Sequence, residues 1–200
     1  MGENDALRTY RSKRDLDRSG EPSGGRRRPD RRPAFVVQKH SARSLHYDFR
    51  LEADGVLKSW SVPKGPSADP AVKRLAVPTE DHPLDYENFE GVIPRGEYGA
   101  GAVIVWDTGT YDNRTEDSAG HTVPVTHAIE RGHVSFDLHG TKLRGGYSLT
   151  RIPGRRDERG PVWLLVKKAD KFAEPGSDPE RDEPESVQSG KDIEQVADEK

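Results

Sequence analysis

One segment constrains the fold more than any other. His46-Tyr-Asp48-Phe-Arg50-Leu-Glu52 alternates polar and apolar residues without a break. Successive side chains of a β-strand point to opposite faces. The stretch therefore predicts a strand with Tyr47, Phe49 and Leu51 on one side and His46, Asp48, Arg50 and Glu52 on the other. An ordinary solvated face would carry Thr, Lys or Ser. This one lines up an imidazole, carboxylates and a guanidinium, which marks it as a candidate site.

Neighbouring segments extend the β pattern. Residues 35–40 read as a preceding strand, and residues 56–62 as a following one joined through the turn-forming pair Asp54-Gly55. Further short strands are expected at 74–77, 91–93, 102–107, 134–138, 147–152 and 162–167, with one helical stretch at 126–131 ended by Gly132. Many short strands with few helices predict an antiparallel barrel or sandwich.

Only 31% of the 200 residues are hydrophobic and the mean hydropathy is -0.93, so the core cannot run the whole length. Charge divides the chain: residues 1–33 sum to +4, residues 34–169 to zero and residues 170–200 to -7. The expected layout is a basic N-terminal arm over 1–33 with a short helix within 4–16, a folded domain over 34–172 and an acidic tail over 173–200. The tail is expected to be disordered apart from a short terminal helix. There is no long apolar run and no apolar N-terminal stretch, so the expectation is a cytoplasmic protein without a membrane partner. With no cysteine, any metal must be held by His, Asp or Glu.

His40, His46 and Asp48 are the candidate ligand set, because two imidazoles and a carboxylate leave open positions on a divalent cation. Gln38 and His40 share a parity, so His40 faces the same cleft if the two strands pair. The bland alternative is a wet face that binds nothing. Arg50 beside such a cation suggests a multiply charged anionic substrate, and Lys64, Lys73, Arg74 and Arg95 add nearby positive charge. Residues 80–86 form a second dense patch, in which His82 and Tyr86 are candidates for phosphate contact or proton transfer. Residues 96–101 are glycine-rich but lead into a strand, so they read as a turn rather than a phosphate cradle. The six-residue recurrence of His121, His127, His133 and His139 reads as coincidence.

Residues 35–52, the run Ser59-Trp-Ser-Val-Pro-Lys-Gly-Pro, residues 80–86, residues 89–101, Leu143-Arg-Gly-Gly-Tyr and Trp163-Leu-Leu-Val-Lys-Lys-Ala-Asp together resemble the 3'-phosphoesterase module of bacterial DNA ligase D. The similarity covers about residues 8–174, and residues 186–190 resemble the linker that follows the module. The resemblance implies a small antiparallel β-barrel with a few short flanking helices and one divalent metal, usually Mn2+. It implies removal of a 3'-terminal ribonucleoside from a primer strand and then of the 3'-phosphate, giving a ligatable 3'-hydroxyl. Its partners would be a DNA primer–template with such an end, and an ATP-dependent DNA ligase, a polymerase and Ku.

Carried over by position, the resemblance makes His40, His46 and Asp48 the metal ligands and puts Arg50, His82 and Tyr86 on the scissile phosphate. Gln38, Lys64, Arg74 and Glu80 match further active-site positions. Arg14, Asp15 and Glu21 match an N-terminal segment that contributes to activity, so the arm would fold over the site. Leu16 and Tyr147 depart from the family pattern, where an aromatic and a Trp are common. Two other readings remain open. His46, Asp48 and a distant His82 also fit the facial triad of non-haem iron oxygenases, and a silent DNA-binding accessory module would need none of the three ligands.

Overall fold

The computed structural model describes residues 6–24, 32–158 and 160–199. Ten strands among them form one antiparallel sheet: β1 (Ala34–Ser41), β2 (Leu45–Ala53), β3 (Val56–Val62), β4 (Lys73–Pro78), β5 (His82–Pro83), β6 (Gly91–Ile93), β7 (Gly101–Asn113), β8 (His133–Gly140), β9 (Arg144–Asp157) and β10 (Gly160–Lys167). Neighbours run β1-β2-β3-β4-β10-β9-β8-β7, and β7 pairs back onto β1, so the sheet closes into a barrel with β6 and β5 as side strands on β7 and β3. Closure removes the unpaired edges that an open sheet would expose. The barrel expectation stands. Several expected strands prove longer, β7 and β9 most of all, because polar residues continue each ladder past its apolar stretch.

The Asp54-Gly55 turn links β2 to β3 with both residues at positive φ (50° and 79°), as a tight hairpin demands. At Gly101 the close approach of β1 leaves no room for a side chain, since a Cβ there would meet the Ser41 carbonyl oxygen at 2.0 Å.

Strand parity sorts the side chains into two layers. Phe35, Val37, Tyr47, Phe49, Leu51, Trp60, Val134, Phe136, Tyr147, Leu149, Trp163 and Leu165 belong to the main core, which fills the barrel. Burying each large side chain there is worth about 1.5–3 kcal/mol. The opposite parity carries Val36 and Leu57 outward, where they meet Tyr10, Leu84, Tyr86 and Val105 in a second apolar cluster. That outer cluster is what covers the polar face of β1 and β2.

The arm contains two short helices, α1 (Arg8–Ser12) and α2 (Leu16–Ser19), instead of one helix over 4–16. Between them lie Lys13, Arg14 and Asp15, the residues matched to the N-terminal motif. Helix α1 buries Tyr10, whose hydroxyl donates to the Pro22 carbonyl at 2.7 Å, so the arm is docked through Glu21 and not free over its whole length. Arg26, Arg27, Arg28 and Arg31, read as part of a flexible basic stretch, lie outside the described residues. Helix α3 (Val125–Arg131) ends at Gly132 in the left-handed conformation, as its sequence predicts.

A short helix, α4 (Pro179–Asp182), lies in the acidic segment. Beyond it, residues 186–197 depart from the expected disordered tail. The Val187 amide donates to the Val105 carbonyl at 2.9 Å, and Ser186 Oγ donates to Glu90 Oε2 at 2.5 Å. The terminal helix is present as α5 (Ile193–Ala197), closed by a capping box between Asp192 and Gln195. It buries Ile193 and Val196 against Ala102 and Ile104. An acidic average concealed three well-spaced apolar anchors. No helix of the described residues is long and apolar enough to cross a membrane.

Candidate active site

β1 and β2 pair with Gln38 opposite Asp48 and His40 opposite His46, so the parity argument places all four on one face. β3 continues the rows, setting Ser59 beside Arg50 and Ser61 beside Asp48. This face is not wet. Gln38 and Arg50 are buried, and His40 and Asp48 nearly so, because the arm and residues 79–100 close over it. Glu52, at the end of the row, instead accepts the Ala34 amide at 2.8 Å and takes no part in the site.

His40, His46 and Asp48 each direct one ligand atom into a common space, all within 4.8 Å of one another. His40 Nε2 lies 2.7 Å from the Gly99 carbonyl, and His46 Nδ1 lies 3.0 Å from the Ser44 carbonyl. A ring nitrogen facing a carbonyl must carry the hydrogen. The lone pairs are therefore on His40 Nδ1 and His46 Nε2, which stand 3.6 and 3.7 Å from Asp48 Oδ2. Those separations are too long for strong hydrogen bonds, while the outer N–H groups anchored on carbonyls match the support that metal-bound histidines receive. The donor set fits a divalent cation. Burial alone would raise the Asp48 carboxyl, yet Arg50 and the two imidazoles hold it well below the usual carboxylate range. Burial would also lower His46, but Asp48 and the Ser44 carbonyl hold it above its ordinary value.

Arg50 is fastened on every side. Its Nε donates to Gln38 Oε1 at 2.8 Å and its Nη1 to Ser59 Oγ at 2.8 Å. Nη2 lies 3.3 Å from Asp48 Oδ2, and His82 Nδ1 packs 2.9 Å from Nη1 while facing the Glu80 carbonyl, also at 2.9 Å, to which it donates. Gln38 is itself held, donating to the carbonyls of Tyr86 and Phe89 at 2.9 Å each. A buried guanidinium is tolerable only with such partners.

His82, on β5, sits between two guanidiniums, because its Nε2 lies 3.3 Å from Arg14 Nη2. Burial first, then the charges of Arg50 and Arg14, push its pKa well below the ordinary histidine value. It is therefore neutral in the free protein. Arg14 reaches the site from the arm and also donates to Glu21 Oε1 at 2.9 Å and Glu80 Oε1 at 2.8 Å, while Lys13 Nζ bonds Glu80 Oε2 at 3.1 Å. Tyr86 lies on the 3-10 helix Leu84–Asn88, and its hydroxyl donates to Glu21 Oε1 at 2.9 Å. Burial and the Glu21 charge raise that phenol well above its usual value. The phenol is committed to a carboxylate and not left free for an anion.

These groups line a cavity of about 1120 Å³ together with Arg43, Ser61, Thr79 and residues 96–100, more room than a typical small-molecule pocket of roughly 300–1,000 Å³. His40, His46, Asp48, Arg50, His82, Tyr86, Arg14 and Glu80 are brought together, with Gln38 and Glu21 directly behind them. Lys64, Arg74 and Asp15 do not line the cavity. Lys64 lies exposed in the turn after β3, Arg74 shares the inward parity of the core residue Ala76 on β4, and Asp15 stands just before α2, with no side-chain bond to the helix end. The facial-triad reading loses its third member, since His40 and not His82 joins His46 and Asp48. Histidines 121, 127, 133 and 139 are all exposed and line no part of the cavity. Sequence reasoning missed Ser59 and Tyr10, although Ser59 was legible as the register partner of Arg50. It also took residues 96–101 for a plain turn, whereas they wall the site.

A family model described as the DNA Ligase D 3'-phosphoesterase domain matches residues 38–151. The chain is 51% identical over 168 residues to the multifunctional non-homologous end joining protein LigD of Pseudomonas aeruginosa, covering 82% of this chain and 19% of the relative. It is 47% identical over 158 residues to the multifunctional non-homologous end joining DNA repair protein LigD of Mycobacterium tuberculosis, covering 76% of this chain and 19% of that one. The LigD of Mycolicibacterium smegmatis is 42% identical over 167 residues, 83% of this chain and 21% of the relative. The chain thus spans about a fifth of the length of the curated relatives it matches. With most of its residues aligned at these identities, and the matched region containing the ligand set, Arg50 and His82, the chain belongs to the DNA ligase D 3'-phosphoesterase domain family.

Proposed function

We propose that this chain is a metal-dependent 3'-end-healing phosphoesterase of DNA break repair, which removes 3'-terminal ribonucleosides and then 3'-phosphates to leave a ligatable 3'-hydroxyl. The observation that carries the reading is the convergence of His40 Nδ1, His46 Nε2 and Asp48 beside a guanidinium held by Gln38, Ser59 and Asp48. Those three residues would hold the cation, for which the family resemblance implies manganese, and when bound it supplies Lewis-acid polarisation of a phosphate oxygen.

The chain's own residues do the remainder. Arg50 neutralises charge that gathers on the phosphoryl oxygens as water adds and the ester P–O bond breaks, and its fixed position removes the cost of reorganising at that moment. Arg14 adds a second positive charge from the arm. His82 starts neutral, so it first offers hydrogen bonds. A bound phosphate group, monoanionic as the diester and more highly charged as the 3'-monoester, offsets the charge of the two guanidiniums and lets His82 carry the proton that the departing oxygen requires. Gln38, Ser59, Glu21 and Tyr86 act by holding Arg50 and Arg14 in place.

The names of the relatives support a place in non-homologous end joining, and, as the family resemblance implies, a ligase, a polymerase and Ku would be partners of the healed end. The test is a primer–template ending in a 3'-ribonucleotide, incubated with manganese and, separately, with chelator. The expected result is shortening followed by 3'-dephosphorylation, abolished by chelation. If neither occurs at any manganese concentration, the proposal is wrong.

A further inference from the structure

Three large hydrophobic side chains are exposed among the described residues, and Tyr98, at 48%, is more open than Leu75 or Phe172. Of the three, Tyr98 is the one that lines the active-site cavity. An aromatic ring left in water at a cavity rim forgoes a large burial gain, which makes its position worth explaining.

The ring is held in a fixed relation to the phosphate-binding groups. Its loop is closed by hydrogen bonds from the Glu97 amide to the Pro94 carbonyl and from the Ala100 amide to the Glu97 carbonyl, both 3.2 Å. The adjacent Gly99 carbonyl meets His40 Nε2 at 2.7 Å, so one peptide ties Tyr98 to the ligand cluster. Lys13 Nζ stands 4.9 Å and Arg14 Cζ 5.1 Å from the ring centroid. Arg14 continues to His82 at 3.3 Å, which places the ring on the side of the site where His82 faces the departing oxygen. Both cations stand over the ring, so a base can stack only on the part of it that remains exposed, while the cations are placed to take the backbone of unpaired nucleic acid. The cavity has room for a nucleoside as well as the phosphate.

We propose that Tyr98 is the stacking platform for the nucleobase of the terminal nucleoside, a specificity subsite that accepts any base because every base has a π-face. The proposal rests on the phosphoesterase reading above, and its test is built so that the two can fail separately. In the first arm, metal-free protein binds a primer whose 3'-terminal ribonucleoside carries 2-aminopurine, whose fluorescence drops on stacking. Wild type and Tyr98→Phe should quench it, and Tyr98→Leu should not. In the second arm, with manganese, KM is compared for a terminal ribonucleoside and for a terminal abasic ribose. Wild type and Tyr98→Phe should prefer the base-bearing end by about 5- to 140-fold, and the preference should collapse towards unity in Tyr98→Leu. Quenching by Tyr98→Leu equal to wild type, no quenching by wild type, or an unchanged base preference in Tyr98→Leu would each overturn the proposal. If wild type hydrolyses neither end, the hydrolytic reading falls while the fluorescence arm still decides the role of Tyr98.

Discussion

Replacing Arg50 by lysine separates charge from geometry at the centre of the site. The guanidinium reaches Gln38, Ser59 and Asp48 from three different nitrogens. An ammonium has three N–H donors on a single nitrogen, so it cannot stand at both positions from which Nε meets Gln38 Oε1 and Nη2 meets Asp48 Oδ2, nor can it present a flat fork to phosphate. Leaving one buried acceptor unmet costs about 1–3 kcal/mol of stability. Losing one oriented donor to the phosphoryl oxygens costs about 2–4 kcal/mol of transition-state stabilisation, roughly a 30- to 900-fold slower chemical step. Lysine is a cleaner probe than alanine, because Arg50→Ala strands Asp48 beneath the arm and costs about 3–5 kcal/mol of fold stability in addition. The assay is single-turnover hydrolysis of a 3'-ribonucleotide-terminated primer with enzyme in excess and saturating manganese, alongside urea unfolding. A chemical rate for Arg50→Lys within about threefold of wild type, in a folded protein, would show that the fork geometry is irrelevant and that Arg50 acts as a point charge.

His46→Ala and Asp48→Ala should each abolish metal binding in calorimetric titration, and wild-type affinity in either would remove that residue from the ligand set. Tyr86→Phe deletes only the donor to Glu21. If Tyr86 acts by positioning, kcat should fall less than about tenfold, whereas a loss of about 100-fold or more would mean that the hydroxyl touches phosphate. Burial alone would raise Glu80, but Arg14 and Lys13 pull it below its usual value. The depressed carboxyl therefore stabilises the docked arm above the ordinary glutamate pKa and loses that contribution as the pH falls through the folded value. Protection factors of the amides of residues 8–19, taken relative to intrinsic exchange at each pH, should fall on acidification through the ordinary glutamate range, with Glu80→Gln already poorly protected at neutral pH. Protection independent of pH in both proteins would refute the latch.

Much of the site was legible locally. Alternation over 46–52 placed His46, Asp48 and Arg50 on one face, and Asp54-Gly55 set the hairpin whose register follows. His40 could be assigned to that face from its parity with Gln38, because a side-chain period of two leaves only two choices. The tertiary structure decided what no local pattern encodes. Barrel closure joins β1 to β7 across more than sixty residues of chain, and a loop of that length is set by packing and not by neighbouring residues. Burial of the polar face was decided by Tyr10, Leu84 and Tyr86 arriving from distant segments. Their cover turns an apparently wet strand into a low-dielectric site, where Arg50 and the two imidazoles keep Asp48 charged, and burial together with the two flanking guanidiniums keeps His82 neutral. Arg74 and Lys64 show the converse. As sequence features they were further cations near the cluster, but the parity of β4 turns Arg74 towards the core and the turn after β3 leaves Lys64 outside the cavity.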